Sequence, residues 1–258
     1  MIEKLINSNK QKFNLITHLY SDVPSKVRLI VYDPYKKGAI YMDRWKTIKG
    51  SETLETRLPT SPKRLKVKVM PLDNKGVQIK GFSTQVLEQY PLCFRNPNTK
   101  SFVKFAQSFA ENLAHLPTGT YKSDNRKFRI DLFDVIRDDE TKRVLSTPAR
   151  ISNSTGRMEV SKKHFSKMTI PMRMAILLHE YSHFYVNKET TNEVEADLNA
   201  LRIYLGLGYP YIEAHKSFIH TFKKNETMQN KERYEHIKTF VKSFEKNKYS
   251  LCNLSNGR

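Results

Sequence analysis

The spacing of apolar positions changes several times along this 258-residue chain. At the start, Ile2, Leu5, Ile6, Phe13, Ile16, Leu19 and Tyr20 recur at roughly helical intervals among lysines and asparagines, which predicts a docking helix over residues 1 to 20. From Ser25 the period falls to two. Val27, Leu29 and Val31 alternate with polar residues, Asp33-Pro34 marks a turn, and Ala39 to Met42 reads as the returning strand. A second strand pair is expected at Leu65–Met70 and Val77–Lys80, joined by Pro71–Gly76, with Lys66 and Lys68 on a wet face. Between the two pairs, residues 43 to 64 are rich in Thr, Ser, Lys and Pro and read as a long loop.

The two prolines of Tyr90–Asn98 make that segment the best boundary between two domains, 1–95 and 96–258. Beyond it, Phe102, Phe105, Ala106, Phe109, Ala110 and Leu113 form one apolar face and predict a helix ending near Pro117-Thr-Gly119. Phe128–Phe133 and Arg143–Ile151 read as strands. Ser152–Gly156 supplies turn chemistry, and Arg157–Ser161 returns from it as a hairpin strand. A buried helix then starts at Pro171, because Met174, Ala175, Leu177, Leu178, Tyr181 and Phe184 cover much of its circumference. A further helix begins with Asn192 as N-cap and Glu195 as its capping-box partner, and stops at Gly206 and Gly208-Tyr-Pro210. Pro210 to Lys223 and Lys231 to Lys246 predict two more helices, the latter packing through Tyr234, Ile237, Phe240, Val241 and Phe244. The last ten residues read as a frayed tail. The expected fold class is α+β, a small mixed or antiparallel sheet with helices, preceded by a β-rich N-terminal region.

Composition narrows the setting. The hydrophobic content of 38% and mean hydropathy of -0.61 belong to a globular chain, and no apolar run approaches the length of a membrane helix. The N-terminus lacks the features of a secretory signal, so a cytoplasmic location is expected, with a virion as the alternative. Cys93 and Cys252 show no ligand spacing and are expected to be free thiols. The net charge of +19 favours partners with acidic surfaces. It is spread along the chain without clustered arginines or stacking aromatics, so nucleic acid is a possible partner but not the favoured one.

The candidate chemistry lies in one stretch. His179-Glu180-Tyr181-Ser182-His183 is an HExxH run, which on a helix sets two imidazoles one turn apart with a carboxylate beside them. Buried neutral imidazoles need a hydrogen-bond partner or a metal. Catalytic zinc takes three protein ligands and leaves a position open, so a third ligand has to come from elsewhere in the fold. Glu193, ten residues on, can reach the site if a short loop turns its helix back beside the histidines. Glu180 is placed as general base, and Asp197, one turn beyond Glu193, can accept the second N–H of a ligand histidine. Glu195, between them, points off the site.

His179-Glu180-x-x-His183 followed by Glu193-x-x-Ala196-Asp197 resembles the gluzincin metallopeptidases, the thermolysin-like superfamily in which a downstream glutamate completes HExxH. The resemblance covers residues 98 to 206. It implies a zincin-like domain with an active-site helix and a glutamate helix, zinc as cofactor on His179, His183 and Glu193, Glu180 as base and Asp197 as support. It also implies hydrolysis of a peptide or protein substrate, with Arg157–Ser161 resembling the edge strand that receives it. The family's transition-state stabiliser is a later Tyr or His. Tyr204, Tyr209, His215 and His220 are positioned for that role, and His215 is the first choice. The alternative is an assembly protein, such as a phage virion or tail component, that carries a metallopeptidase-like zinc domain with little or no activity.

Overall fold

A computed structural model of the chain describes residues 1–72, 76–222 and 227–247, the side chains of 219–222 excepted. The tail expected at the C-terminus and the middle of the Pro71–Gly76 connection lie outside the described residues. The chain forms two compact units, one of Met1–Glu88 with Gly208–Pro210 and one of Gln89–Leu207 with the chain from Tyr211 onward.

The first unit is an antiparallel sheet of five strands, β1 (Ile2–Asn7), β2 (Phe13–Tyr32), β3 (Ile40–Leu58), β4 (Arg64–Pro71) and β5 (Gln78–Val86). Its spine is β2, a strand of 20 residues that pairs with β3 along its length, with β5 through Phe13–Tyr20 and with β4 through Val27–Tyr32. A register shift between Ser21 and Ser25 lets the one strand bend between its two partners. The inward positions are Phe13, Leu15, Thr17, Leu19 and Ser21, then Ser25, Val27, Leu29 and Val31, all buried.

Three expectations are overturned here. Residues 1 to 20 are β1 and the first part of β2, not a helix, because period-two burial outweighs the approximate helical stripe. Residues 43 to 58 belong to β3, not a loop, since Ile48, Leu54, Thr56 and Leu58 face inward while Thr and Lys take the wet side. The strands at 65–70 and 77–80 both form, but they do not pair with each other. β4 lies between β1 and β2, and β5 lies on β2.

The second unit has the expected α+β organisation. Helix α1 (Pro97–Asn112) precedes a mixed sheet of β6 (Gly119–Lys122), β7 (Arg129–Phe133), β8 (Ala149–Ile151) and β9 (Met158–Ser161), in the order β6-β7-β9-β8. Only β7 and β9 run parallel. Of the strand expected over Arg143–Ile151, the last three residues alone join the sheet, with one isolated bridge from Val144 to Arg137. After the single turn α2 (Lys162–Phe165) come α3 (Ile170–Tyr185), α4 (Glu193–Gly206), α5 (Tyr211–Phe222) and α6 (Met228–Lys246). Thr169 caps α3 by accepting from Met172 N–H, with Pro171 in the first turn. Phe102, Phe128, Leu132, Leu177, Leu178 and Tyr181 make the core between α1, the sheet and α3. Phe102 and Tyr181 stack at 4.2 Å between ring centroids. Cys93 is disulfide-bonded rather than a free thiol. Cys252 lies outside the described residues.

Candidate metal centre

Two helices and the loop between them position the HExxH residues. Asn192 caps α4 by accepting from the Glu195 N–H. The Glu195 carboxylate does not return the bond. It accepts from the Lys188 N–H instead, so half of the expected capping box forms and Glu195 tethers the loop, off the site as anticipated. That loop is short enough to bring the first turn of α4 back against the histidine face of α3.

The result is a cluster in which one ligand atom from each of His179, His183 and Glu193 lies within 4.8 Å of the others. The two Nε2 atoms are 3.1 Å apart. Glu193 Oε2 is 3.4 Å from His179 Nε2, and its Oε1 is 3.5 Å from His183 Nε2. For zinc–ligand bonds of about 2.0–2.2 Å, the edge of a coordination tetrahedron is about 3.3–3.6 Å. The approach of the two imidazoles, and of each Glu193 oxygen to one of them, is close to that size, with the carboxylate spanning the pair so that Oε2 faces His179 and Oε1 faces His183.

The far side of each ring fixes its tautomer. His183 Nδ1 lies 2.7 Å from the Thr190 carbonyl oxygen, which can only accept, so Nδ1 carries the proton and Nε2 presents a lone pair. His179 Nδ1 lies 2.9 Å from Asp197 Oδ1. The direction is off-line for a formed hydrogen bond, and the contact is an ion pair in close approach. Two lone pairs and a carboxylate thus face one another, and the cluster calls for a cation. In the metal-free chain a proton supplies it. Burial opposes charge on His179, but Asp197 and Glu193 outweigh it and push the imidazole up to about 10. Burial would raise Glu193, yet the two histidines and Arg233 hold it well below the usual carboxylate range. A divalent metal ion would satisfy the same demand, and two imidazoles with one carboxylate are a donor set such an ion takes, so the residues fit a metal.

Glu180 sits beside this cluster, largely buried, and burial raises its carboxyl although the Ile151 N–H donates to it. Asp197 is almost wholly buried. Burial would raise it too, but His179 and Arg233 hold it low.

Arg233, on α6, was not singled out from the sequence. Its Nε lies 2.8 Å from Asp197 Oδ2, and its Nη2 lies 3.0 Å from both Asp197 Oδ1 and Glu193 Oε2. One guanidinium therefore neutralises a ligand carboxylate and the carboxylate that supports a ligand histidine. No local pattern in a helix full of charges distinguishes this arginine from its neighbours.

A cleft of about 430 Å³ opens over the cluster. It is lined by Glu180, the three candidate ligands and Arg233, by Ile176 and Phe218, and by Thr147–Ile151 with Asn153. The bordering edge strand is β8, whereas Arg157–Ser161 holds β9 inside the sheet between β7 and β8, which corrects the expected edge. Ser152 N–H reaches Arg157 O and Ser161 N–H reaches Pro148 O, so Ala149 and Ile151 turn their backbone groups away from β9. Of the later candidates, His215 does not line the cleft, and its Nε2 lies 3.1 Å from the Tyr234 hydroxyl. Tyr204 and Tyr209 are buried, and the His220 side chain lies outside the described residues.

Comparison with protein-family models, with curated proteins and with solved structures finds no match to this chain. The likeness is confined to the arrangement of the site. His179, Glu180 and His183 on α3, completed by Glu193 on α4, reproduce a gluzincin-type HExxH and glutamate zinc-protease arrangement in which α3 is the active-site helix and α4 the glutamate helix.

Proposed function

We propose that this chain is a zinc-dependent peptidase, with zinc on His179, His183 and Glu193. The observation that carries the reading is the convergence of two imidazole nitrogens and a carboxylate, one ligand atom from each within 4.8 Å of the others, with a buried carboxyl beside them. Zinc, when bound, acidifies water and polarises a carbonyl. Glu180, its carboxyl raised above the usual carboxylate range by burial, takes the proton of the attacking water and returns it to the leaving amine. Asp197 and the Thr190 carbonyl hold the two imidazoles with Nε2 toward the metal. Arg233 lines the cleft as a cation beside the reacting carbonyl, where developing negative charge is stabilised, a role better met here than by His215. An extended substrate lies along β8, paired with the outward backbone groups of Ala149.

The deciding variant is Glu180→Gln. It leaves the three ligands in place, so zinc is retained at one per chain while cleavage of a protein substrate falls by about 10²–10⁴-fold. Zinc bound without turnover in the unsubstituted protein would favour the assembly module instead. Absence of zinc would remove both readings.

A further inference from the structure

The loop between α3 and α4 is organised by a residue that contributes nothing to the metal directly. Asn187 is 1% exposed. Its backbone N–H donates to Ser182 O at 2.8 Å, joining it to the end of α3. Its side-chain Oδ1 accepts from Asn199 Nδ2 at 2.9 Å, which ties it to α4. Its Nδ2 donates to Asn192 O at 3.0 Å and approaches Glu189 O at 3.5 Å, gathering the loop around it. Asn199 is held in turn, because its Oδ1 accepts from Arg202 Nη2 at 2.8 Å. The chain of donors fixes which end of each amide is oxygen, so the network has one orientation.

Each carbonyl gathered by Asn187 belongs to the residue before one that serves the site. Thr190, whose carbonyl fixes the His183 tautomer, follows Glu189, and Glu193 follows Asn192. We propose that Asn187 is a positioning residue for the metal centre, and that Asn199 supports it. Asn187 sets the α3–α4 spacing, keeps the Thr190 carbonyl on His183 Nδ1 and delivers Glu193 to the histidine pair. It touches neither substrate nor metal. The inference rests on the zinc reading and adds that the metal affinity of this site is set from the buried amide beneath it.

The network also predicts an order of effects. Asn187→Ala removes both arms. Asn187→Asp keeps the acceptor for Asn199 but loses the donor to Asn192 O and sets two oxygens against each other. Asn199→Ala removes only the support from α4.

The test uses the full chain, with zinc affinity measured by competition against a chromophoric chelator and ligand geometry by the visible spectrum of the cobalt(II)-substituted protein. Loss of a direct hydrogen-bond partner of a ligand costs about 10–100-fold in metal affinity, and Asn187, one residue behind such contacts, should reach the lower part of that scale. Asn187→Ala and Asn187→Asp should fall in that range with an altered cobalt spectrum, and Asn199→Ala should lose less. Phe109→Ala, a core change remote from the loop, controls for general destabilisation and should leave both readouts near those of the parent. If Asn187→Ala does not fold, the other two loop variants carry the test. Affinities within about twofold of the parent for every folded loop variant would overturn the role, since a supporting partner is worth more than that. A Phe109→Ala loss as large as theirs would overturn it equally. A parent chain that binds no zinc would instead remove the metal reading itself.

Discussion

Lowering the pH should weaken zinc binding by at least tenfold per unit. In the metal-free chain the site meets its need for positive charge with a proton on His179, whose imidazole is pushed up to about 10 against the burial that opposes it. Between about pH 5.5 and pH 7, below the range where zinc itself acidifies water, that proton is in place and must leave when the metal binds. One displaced proton is worth about 1.36 kcal/mol per pH unit, a factor of ten in affinity and about 30-fold across this window. Glu193 is held far below the usual carboxylate range and contributes no proton. The Glu180 carboxyl, raised by burial, can only add to the slope, so tenfold is the floor. The assay is chelator competition at several pH values, with calorimetry in two buffers of different ionisation enthalpy to count protons released per zinc. An affinity that is flat over this window, or release of less than about half a proton, would refute the reasoning that a proton and the metal compete for His179 Nε2.

The metal-free protein should be less stable at alkaline pH. A folded-state His179 raised from 6.5 to about 10 contributes stability that is fully present below about pH 6.5 and lost as pH rises toward 10, and thermal midpoints of the chelator-treated protein across that range check the sign. Arg233→Met strips from an Asp197 that is 1% exposed one of its two counter-charges, leaving His179, and should cost about 1–3 kcal/mol in denaturant unfolding, below the scale of about 3–5 kcal/mol for a buried charge left wholly unpaired. Gly156→Ala should destabilise by about 1–3 kcal/mol. Its φ is +68°, and a Cβ there would stand 2.6 Å from the Tyr185 hydroxyl and 2.7 Å from Phe184 Cδ1.

The site was legible because its information is local. HExxH and the one-turn step from Glu193 to Asp197 are helix spacings, the interval between them is a short loop, and helices α3 and α4 begin where Pro171 and Asn192 advertise. What escaped is what depends on distant partners. The N-terminal strands were hidden because Thr17 and Ser21, though polar, occupy inward positions and break the apolar alternation of Phe13, Leu15 and Leu19. β3 was hidden because Thr and Lys on its wet face resemble loop composition. That β4 and β5 each seek β2 rather than one another is a matter of pairing across the chain, which local period does not encode. Arg233 belongs to the same class, since its importance comes from carboxylates on another helix. Asn187 is similar: an asparagine between two helices reads as turn chemistry until Asn199 is seen opposite it.

The position of Arg233 also orders the making of the site in time. During synthesis the candidate ligands are complete once Glu193 has emerged, but the guanidinium that balances Glu193 and Asp197 arrives with α6, 36 residues after Asp197. Until then the nascent chain has only the histidines to balance the two carboxylates, and the cleft lacks one of its walls. The working geometry is therefore reached only by a chain whose C-terminal helix has been made and docked. An unfinished chain on the ribosome carries the candidate metal ligands before it carries the guanidinium that balances them.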